Sequence, residues 1–168
     1  KEDVRAWVDH LQAVYGSEIL IGTHGESMGA AIALQHAIID PRIAFVVADC
    51  PFASAHEEFA HRLKEEYGLP PFPLIQLSSL ITKLRTGFAY KDAAPFQGID
   101  ELTIPVLFIH GAEDDYIPPE ASVRLYEAKR GPKRLWLGPG AKHAESQPMH
   151  PETYDRLIGE FLSEHGLV

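Results

Sequence analysis

One short stretch of the sequence has the residue types and spacing needed for nucleophilic catalysis. Gly25-Glu26-Ser27-Met28-Gly29 has the pattern G-x-S-x-G and lies between an apolar run and an alanine-rich stretch. Glycines allow a turn that is too crowded for side chains, and such a turn would expose the Ser27 hydroxyl. A helix beginning at Met28 would direct backbone N–H groups toward developing negative charge. The pattern predicts Ser27 as a nucleophile and the Met28 N–H as an oxyanion donor; a plain glycine turn with a capping serine is the alternative.

A serine nucleophile needs a base, and the base needs a third group that orients it. Three candidate acids follow a later apolar run, namely Glu113, Asp114 and Asp115. The chain has nine histidines, of which His143 lies in a glycine-containing loop shortly before the last predicted helix. The order serine, acid, histidine is typical of one large class of α/β enzymes.

Buried strands alternating with helices are predicted to position these residues. Val4, Trp7, Val8 and Leu11 recur at helical spacing. Short apolar runs between helical stretches are typical of a parallel sheet with helices on both faces, so we predict an α/β fold. The predicted strands are Ile19–Thr23, Ile43–Asp49, Val106–His110 and Arg134–Leu137, and the predicted helices beside the first strand are Lys1–Tyr15 and Met28–Ile39.

Residues 53–103 are much longer than the usual connection between two strands, so we predict a helical cap insertion there. Residues 1–52 and 104–168 would then form the core. The first cap helix is predicted over Ser54–Tyr67, with a capping box from Ser54 to Glu57 and a stop at Gly68. The second would be apolar on most of its surface and must be covered by the protein or by an apolar substrate; it contains Leu74, Ile75, Leu77, Leu80, Ile81 and Leu84.

Composition excludes several functional classes. The formal net charge of −9, with dispersed basic residues, argues against nucleic acid and anionic membranes as partners. Cys50 is the only cysteine, so no intrachain disulfide forms, and we expect a small buried residue in a cytoplasmic protein. His56 and His61 lack a third ligand nearby, so we expect no metal, and nothing in the sequence indicates a cofactor.

These motifs resemble the α/β-hydrolase superfamily along the whole chain, in particular its bacterial, short-cap, carboxylesterase-like or peptidase-like members. The usual acid loop H-G-x-x-D-x-x-V/I-P matches His110–Pro118, which selects Asp114. The pattern G-x-x-H around the family's general base is met by Gly140 and His143. The resemblance implies that the chain has a catalytic triad and three neighbouring substrate-binding residues: Ser27, Asp114 and His143, with Glu26, Phe52 and Ile117.

The resemblance also implies a function, hydrolysis of a small ester-type acyl substrate through an acyl-enzyme. A serine peptidase of the same fold, or a binding module without catalysis, are the alternatives. Family members usually have four further strands before the first helix here, and one following loop supplies half of the oxyanion hole. We therefore expect a C-terminal portion with weak activity, and self-association through the exposed strand Ile19–Thr23.

Overall fold

A four-stranded parallel sheet is the centre of the computed structural model, which describes residues 2–168. The strands lie in the order β1-β2-β3-β4, and every neighbouring pair is parallel. In chain order the elements are α1 (Glu2–Tyr15), β1 (Ile21–Glu26), α2 (Met28–Ile39), β2 (Ile43–Asp49), α3 (Ala55–Tyr67), α4 (Pro71–Thr86), a short 3-10 helix (Tyr90–Asp92), β3 (Val106–Gly111), α5 (Glu120–Ala128), β4 (Lys133–Gly138), α6 (Ser146–Met149) and α7 (Pro151–Glu164).

Both faces of the sheet are covered, as the apolar strands require. Val46 and Phe108 point into a core shared with Leu34 of α2. Their strand neighbours point the other way, where Val47 packs in a second cluster with Phe161 of α7. Alternating side chains that are buried on both faces explain why these strands are continuously apolar. The predicted α/β fold with a parallel sheet and helices on both faces is confirmed.

The first strand differs from its predicted bounds. It begins at Ile21 and runs to Glu26, because pairing with β2 continues until Glu26 lies opposite Asp49. Leu20 is more than half exposed and precedes the strand. The apolar run thus lies partly before β1. Gly25 and Glu26, the first two residues of the glycine-rich turn, belong to β1. β1 forms one edge of the sheet.

The segment between β2 and β3 is helical but differs in detail from the prediction. Gly68 ends α3 in the left-handed conformation, with φ 62°, as expected. The predicted capping box is wrong, since the Ser54 side chain makes no capping hydrogen bond. Glu57 instead forms an ion pair with Arg124 of α5, at 2.8 Å. That residues 53–103 act as a cap stays a prediction.

Helix α4 is less covered than its apolar sequence led us to expect. Ile75 is buried, but several large side chains on the rest of the helix are more than half exposed: Leu77, Leu80, Ile81 and Leu84. Residues 2–168 therefore leave this surface largely exposed. Among the helices of residues 2–168, none combines the length and the apolar character needed to cross a membrane.

Candidate active site

The turn between β1 and α2 holds Ser27 in a conformation that few residues adopt. Its backbone has φ 53° and ψ −120°, and its N–H donates a hydrogen bond to the Asp49 carbonyl at 2.8 Å. A Cβ atom on Gly25 would lie 2.4 Å from the Gly29 carbonyl, so only glycine fits there. A Cβ atom on Gly29 would meet nothing within 4 Å. The expectation that crowding requires both glycines is therefore right for Gly25 and wrong for Gly29.

Two hydrogen bonds connect three side chains that are far apart in the sequence. Ser27 Oγ lies 3.0 Å from His143 Nε2, and His143 Nδ1 lies 2.8 Å from Asp114 Oδ2. A carboxylate can only accept, so Nδ1 carries the proton and Nε2 accepts from the serine hydroxyl. The residues predicted as nucleophile, base and acid thus lie in contact, in the tautomer that leaves a lone pair facing Ser27.

Asp114 is buried and has several hydrogen-bond donors around it. Its Oδ1 accepts from the backbone N–H groups of Tyr116 and Ile117, each at 2.9 Å. Its Oδ2 lies 3.1 Å from Nε2 of the buried His110. Burial by itself raises the pKa of Asp114, but the hydrogen bonds from His110, His143 and the two backbone groups outweigh it. The net pKa lies below the ordinary range, so Asp114 stays ionised next to His143.

The other two candidate acids lie outside this arrangement. Asp115 is exposed and forms an ion pair with Lys142 at 3.0 Å. Glu113 is also exposed. The backbone of the loop directs one of its three consecutive acids inward, a distinction that composition alone does not reveal.

Backbone contacts between two loops place His143 opposite Asp114. The N–H of Glu113 donates to the Ala141 carbonyl at 2.9 Å. A Cβ atom on Gly111 would lie 2.3 Å from the Lys142 carbonyl oxygen, so the two loops approach too closely for a side chain there. The hydrogen bond to Asp114 raises the pKa of His143, while burial opposes this effect.

Backbone strain is concentrated at this site. Among residues 2–168, the three non-glycine residues with positive φ are Ser27, Cys50 and Ala144, which lie in the turn, directly after β2 and directly after His143. Ligand atoms of Cys50, Asp114 and His143 lie within 4.8 Å of one another, a spacing that could hold a metal ion. Burial raises the pKa of the Cys50 thiol to about 12, which disfavours the thiolate that a metal needs. We therefore assign no metal to this cluster.

A cavity of about 420 Å³ opens at Ser27 and reaches the helical segment. Of the predicted substrate-binding residues, Phe52 and Ile117 line it, whereas Glu26 is exposed at the end of β1 and is not part of the lining. The Met28 side chain also lines it, and the backbone N–H of Met28 lies in the first turn of α2, where helical hydrogen bonding leaves N–H groups free.

Two residues near Ser27 and His143 were missed by sequence reasoning. The ring of Tyr116 packs against the imidazole of His143, with ring centroids 4.9 Å apart. Glu58 of α3 lines the cavity that contains Ser27. Tyr116 lies within the acid loop His110–Pro118, so its position in the sequence could have indicated that it lies near the site. The helical pattern of α3 contains nothing that distinguishes Glu58 from its acidic neighbours.

Sequence comparison finds relatives longer than this chain. The chain is 43% identical over 164 residues to the uncharacterized protein YqkD of Bacillus subtilis, covering 96% of this chain and 54% of YqkD. It is 31% identical over 145 residues to the uncharacterized protein Rv2307c of Mycobacterium tuberculosis, covering 86% and 45%. The chain thus spans about half the length of these curated relatives. No protein-family model matches it.

Comparison with solved structures identifies the fold of this chain. The chain matches the esterase Pf2001 of Pyrococcus furiosus with a TM-score of 0.74 and 25% identity, covering 96% of this chain and 60% of the esterase. It matches the monoacylglycerol lipase of Paleococcus ferrophilus with a TM-score of 0.65 and 22% identity, covering 98% and 75%. It matches the metagenomic α/β hydrolase MGS-MChE2 with a TM-score of 0.66 and 19% identity, covering 96% and 68%. The parallel sheet and its flanking helices therefore have the fold of the α/β-hydrolase esterases and lipases.

Proposed function

We propose that this chain carries the catalytic triad of a serine hydrolase that acts on ester-type acyl substrates. The observation that carries the proposal is the hydrogen-bonded series Ser27–His143–Asp114, in which Ser27 lines a cavity. The fold of its structural neighbours, among them an esterase and a lipase, supports hydrolysis. The strained backbone at Ser27 also supports a reactive role, because such strain clusters at functional sites.

The hydrogen-bond directions support a mechanism with a covalent acyl-enzyme. Ser27 Oγ attacks the acyl carbonyl while its proton moves to His143 Nε2. The tetrahedral intermediate collapses, His143 returns the proton to the leaving alcohol, and an acyl-enzyme remains. Water then repeats the sequence and releases the acid and free Ser27. The ionised Asp114 stabilises the imidazolium in both steps, and the Met28 N–H donates to the oxyanion.

The shape of the cavity supports an acyl group with apolar character. Phe52, Phe59 and Phe88 contribute rings to its wall, and Ile32 and Ile117 contribute aliphatic surface. Removing apolar substrate surface from water into such a cavity is favourable. We therefore place the acyl chain between the triad and the helical segment, which acts in this proposal as a cap.

A fluorophosphonate probe tests the proposal directly, because it phosphonylates an activated serine. We expect the probe to label the wild-type chain and not the Ser27→Ala variant. Ser78→Ala is the matched control, since the Ser78 hydroxyl bonds only a carbonyl of its own helix, Ile75 O at 3.1 Å. Labelling that persists in Ser27→Ala, or an unlabelled wild type, would overturn the proposal. Rates on nitrophenyl esters against aminoacyl amides then distinguish an esterase from a peptidase.

We also propose that the chain self-associates through β1, the strand that forms an edge of the sheet. An edge strand has unpaired backbone groups that can pair with a second copy. The exposed Leu20 beside it adds apolar surface. Size-exclusion chromatography with light scattering at micromolar concentration should show dimers or larger species, and Leu20→Lys should weaken them. A strictly monomeric wild type contradicts this proposal.

A further inference from the structure

The carboxyl group of Glu58 is placed unusually for an acidic residue on a surface helix. Glu58 lines the same cavity as Ser27. Its Oε1 is buried and has no hydrogen-bond partner. Leaving a buried carboxylate oxygen unpaired costs free energy, so this position is unfavourable until a donor or a cation arrives.

Arg62 has the largest electrostatic effect on Glu58 among the basic residues, but its guanidinium is hydrogen-bonded to other groups. Arg62, one helical turn further along α3, forms an ion pair with Glu66. It also donates to the Asp115 carbonyl at 3.2 Å and lies over the Tyr116 ring, 4.0 Å from its centroid. The guanidinium is therefore already engaged. No lysine, arginine or histidine among the described residues lines the cavity, in which Glu58 is the one carboxylate.

The remaining wall of the cavity suits an organic cation. Five aromatic residues line it together with Glu58, namely Phe52, Phe59, Phe88, Tyr90 and Tyr116. Phe59 and Tyr90 pack against each other, with ring centroids 4.6 Å apart. Aromatic faces attract ammonium groups through the ring quadrupole, and a carboxylate adds direct charge attraction.

Burial and nearby charges make the ionised form of Glu58 less favourable than that of an ordinary glutamate. Burial raises the pKa of Glu58 to about 7; the charge of Asp114 adds to this effect, and the charges of Arg62, His143 and His110 oppose it. The carboxylate is thus harder to ionise than an ordinary glutamate. A bound cation would favour its ionised form.

We propose that Glu58 anchors a subsite for an ammonium group of the substrate, so that the enzyme prefers cationic acyl esters to uncharged esters of the same shape. The inference rests on the proposed function of Ser27 and names the substrate class of that site. The ammonium would lie among the aromatic rings, with its charge facing Glu58 and the ester carbonyl at Ser27.

The kinetic test uses nitrophenyl esters in isosteric pairs. One member of each pair carries a terminal trimethylammonium group on the acyl chain, and the other carries a tert-butyl group in its place, over a series of chain lengths. For the best chain length we expect the wild type to show about tenfold higher kcat/KM on the cationic ester. Glu58→Gln should bring this ratio close to one. Glu57→Gln is the matched control, because Glu57 bonds Arg124 and does not line this cavity, and it should keep the wild-type ratio.

The ratio should also depend on pH. The trimethylammonium charge is permanent, and the ionisation of His143 affects both esters of a pair alike. The ratio should therefore rise between about pH 6 and about pH 8 as Glu58 ionises, and should be flat in Glu58→Gln. A wild-type ratio near one at every chain length, or the same ratio in wild type and Glu58→Gln, overturns the inference.

A binding measurement separates this inference from the proposed function. Calorimetry on Ser27→Ala with the two esters of a pair measures affinity without hydrolysis. We expect tighter binding of the cationic ester, and loss of that difference in the Ser27→Ala/Glu58→Gln double variant. If the cationic ester binds preferentially while the wild type hydrolyses neither ester, the proposed function fails and the subsite stands. If both esters are hydrolysed but bind equally, the subsite fails alone.

Discussion

The carboxyl edge of the sheet and the helical segment between β2 and β3 differ in how far their side chains are buried and hydrogen-bonded. At the sheet edge Asp114 is 5% exposed and accepts bonds from His110, His143 and the backbone. In the helical segment Leu84 is 78% exposed and Glu58 Oε1 has no partner. Paired, buried groups hold their geometry before any substrate arrives, whereas exposed and unpaired groups gain partners only on binding. In the proposed function, the sheet edge would therefore preorganise proton transfer, and the helical segment would bind the substrate.

Among changes in these two regions, removing the charge of Asp114 should have the largest effect on the rate of ester hydrolysis. Asp114→Asn keeps the shape but no longer holds the neutral imidazole with its proton on Nδ1, so the rate of ester hydrolysis should fall about 10⁴-fold. Asp115→Asn is the control and should stay near the wild-type rate, because Asp115 is exposed and bonds only Lys142 among side chains. Both rates can be measured with one nitrophenyl ester. Equal losses in the two variants would show that the loop presents a different acid.

A pair of glycines tests how rigidly the turn is packed. In Gly25→Ala the new methyl group would lie 2.4 Å from the Gly29 backbone, which must shift, so unfolding should require about 3 kcal/mol less free energy. Gly29→Ala meets no atom within 4 Å, and alanine favours a helix by up to about 1 kcal/mol, so its stability should equal or exceed that of wild type. Urea denaturation of both variants measures this difference. Similar midpoints would remove the steric reason for glycine at position 25.

Within α4, truncating the buried Ile75 should lower the free energy of unfolding more than truncating the exposed Leu84. Ile75 is 6% exposed, so Ile75→Ala should cost about 2 kcal/mol or more of the free energy of unfolding. Leu84→Ala should change the free energy by less than about 0.5 kcal/mol, because its side chain is already in water. Denaturation midpoints report both. A large loss in Leu84→Ala would show that a second molecule or another segment covers this surface in solution.

Local sequence predicts the sheet better than it predicts the helical segment, for a physical reason. Val46, Val47 and their neighbours are buried on both faces, so their apolar run gives β2 its bounds without error. The turn at Ser27 follows from glycine at position 25, a restriction visible in one short pattern. The start of β1 was misplaced because Ile19 and Leu20 are apolar yet do not pair.

The features that sequence missed depend on contacts between distant segments. Glu57 has the spacing of a capping box, but Arg124 of α5 competes for its carboxylate. Glu58 differs from its acidic neighbours in lining the same cavity as Ser27 and in having a buried, unpaired Oε1. The exposure of α4 likewise depends on what packs against it, which its own periodicity does not specify.

The pH dependence of kcat/KM on an uncharged ester compares the effects of the two regions in one measurement. His143 acts as a base only when neutral, so kcat/KM should rise with pH and its inflection should lie above the ordinary histidine pKa of about 6.5, because Asp114 raises the pKa. Both Asp114 and Glu58 favour the imidazolium, and removing either charge should move the inflection to lower pH. Asp114 is hydrogen-bonded to the ring, whereas Glu58 acts only through space. The shift should therefore be larger in Asp114→Asn, measured on its residual activity, than in Glu58→Gln. A larger shift in Glu58→Gln would mean that the helical segment, rather than the sheet edge, controls the proton on the base.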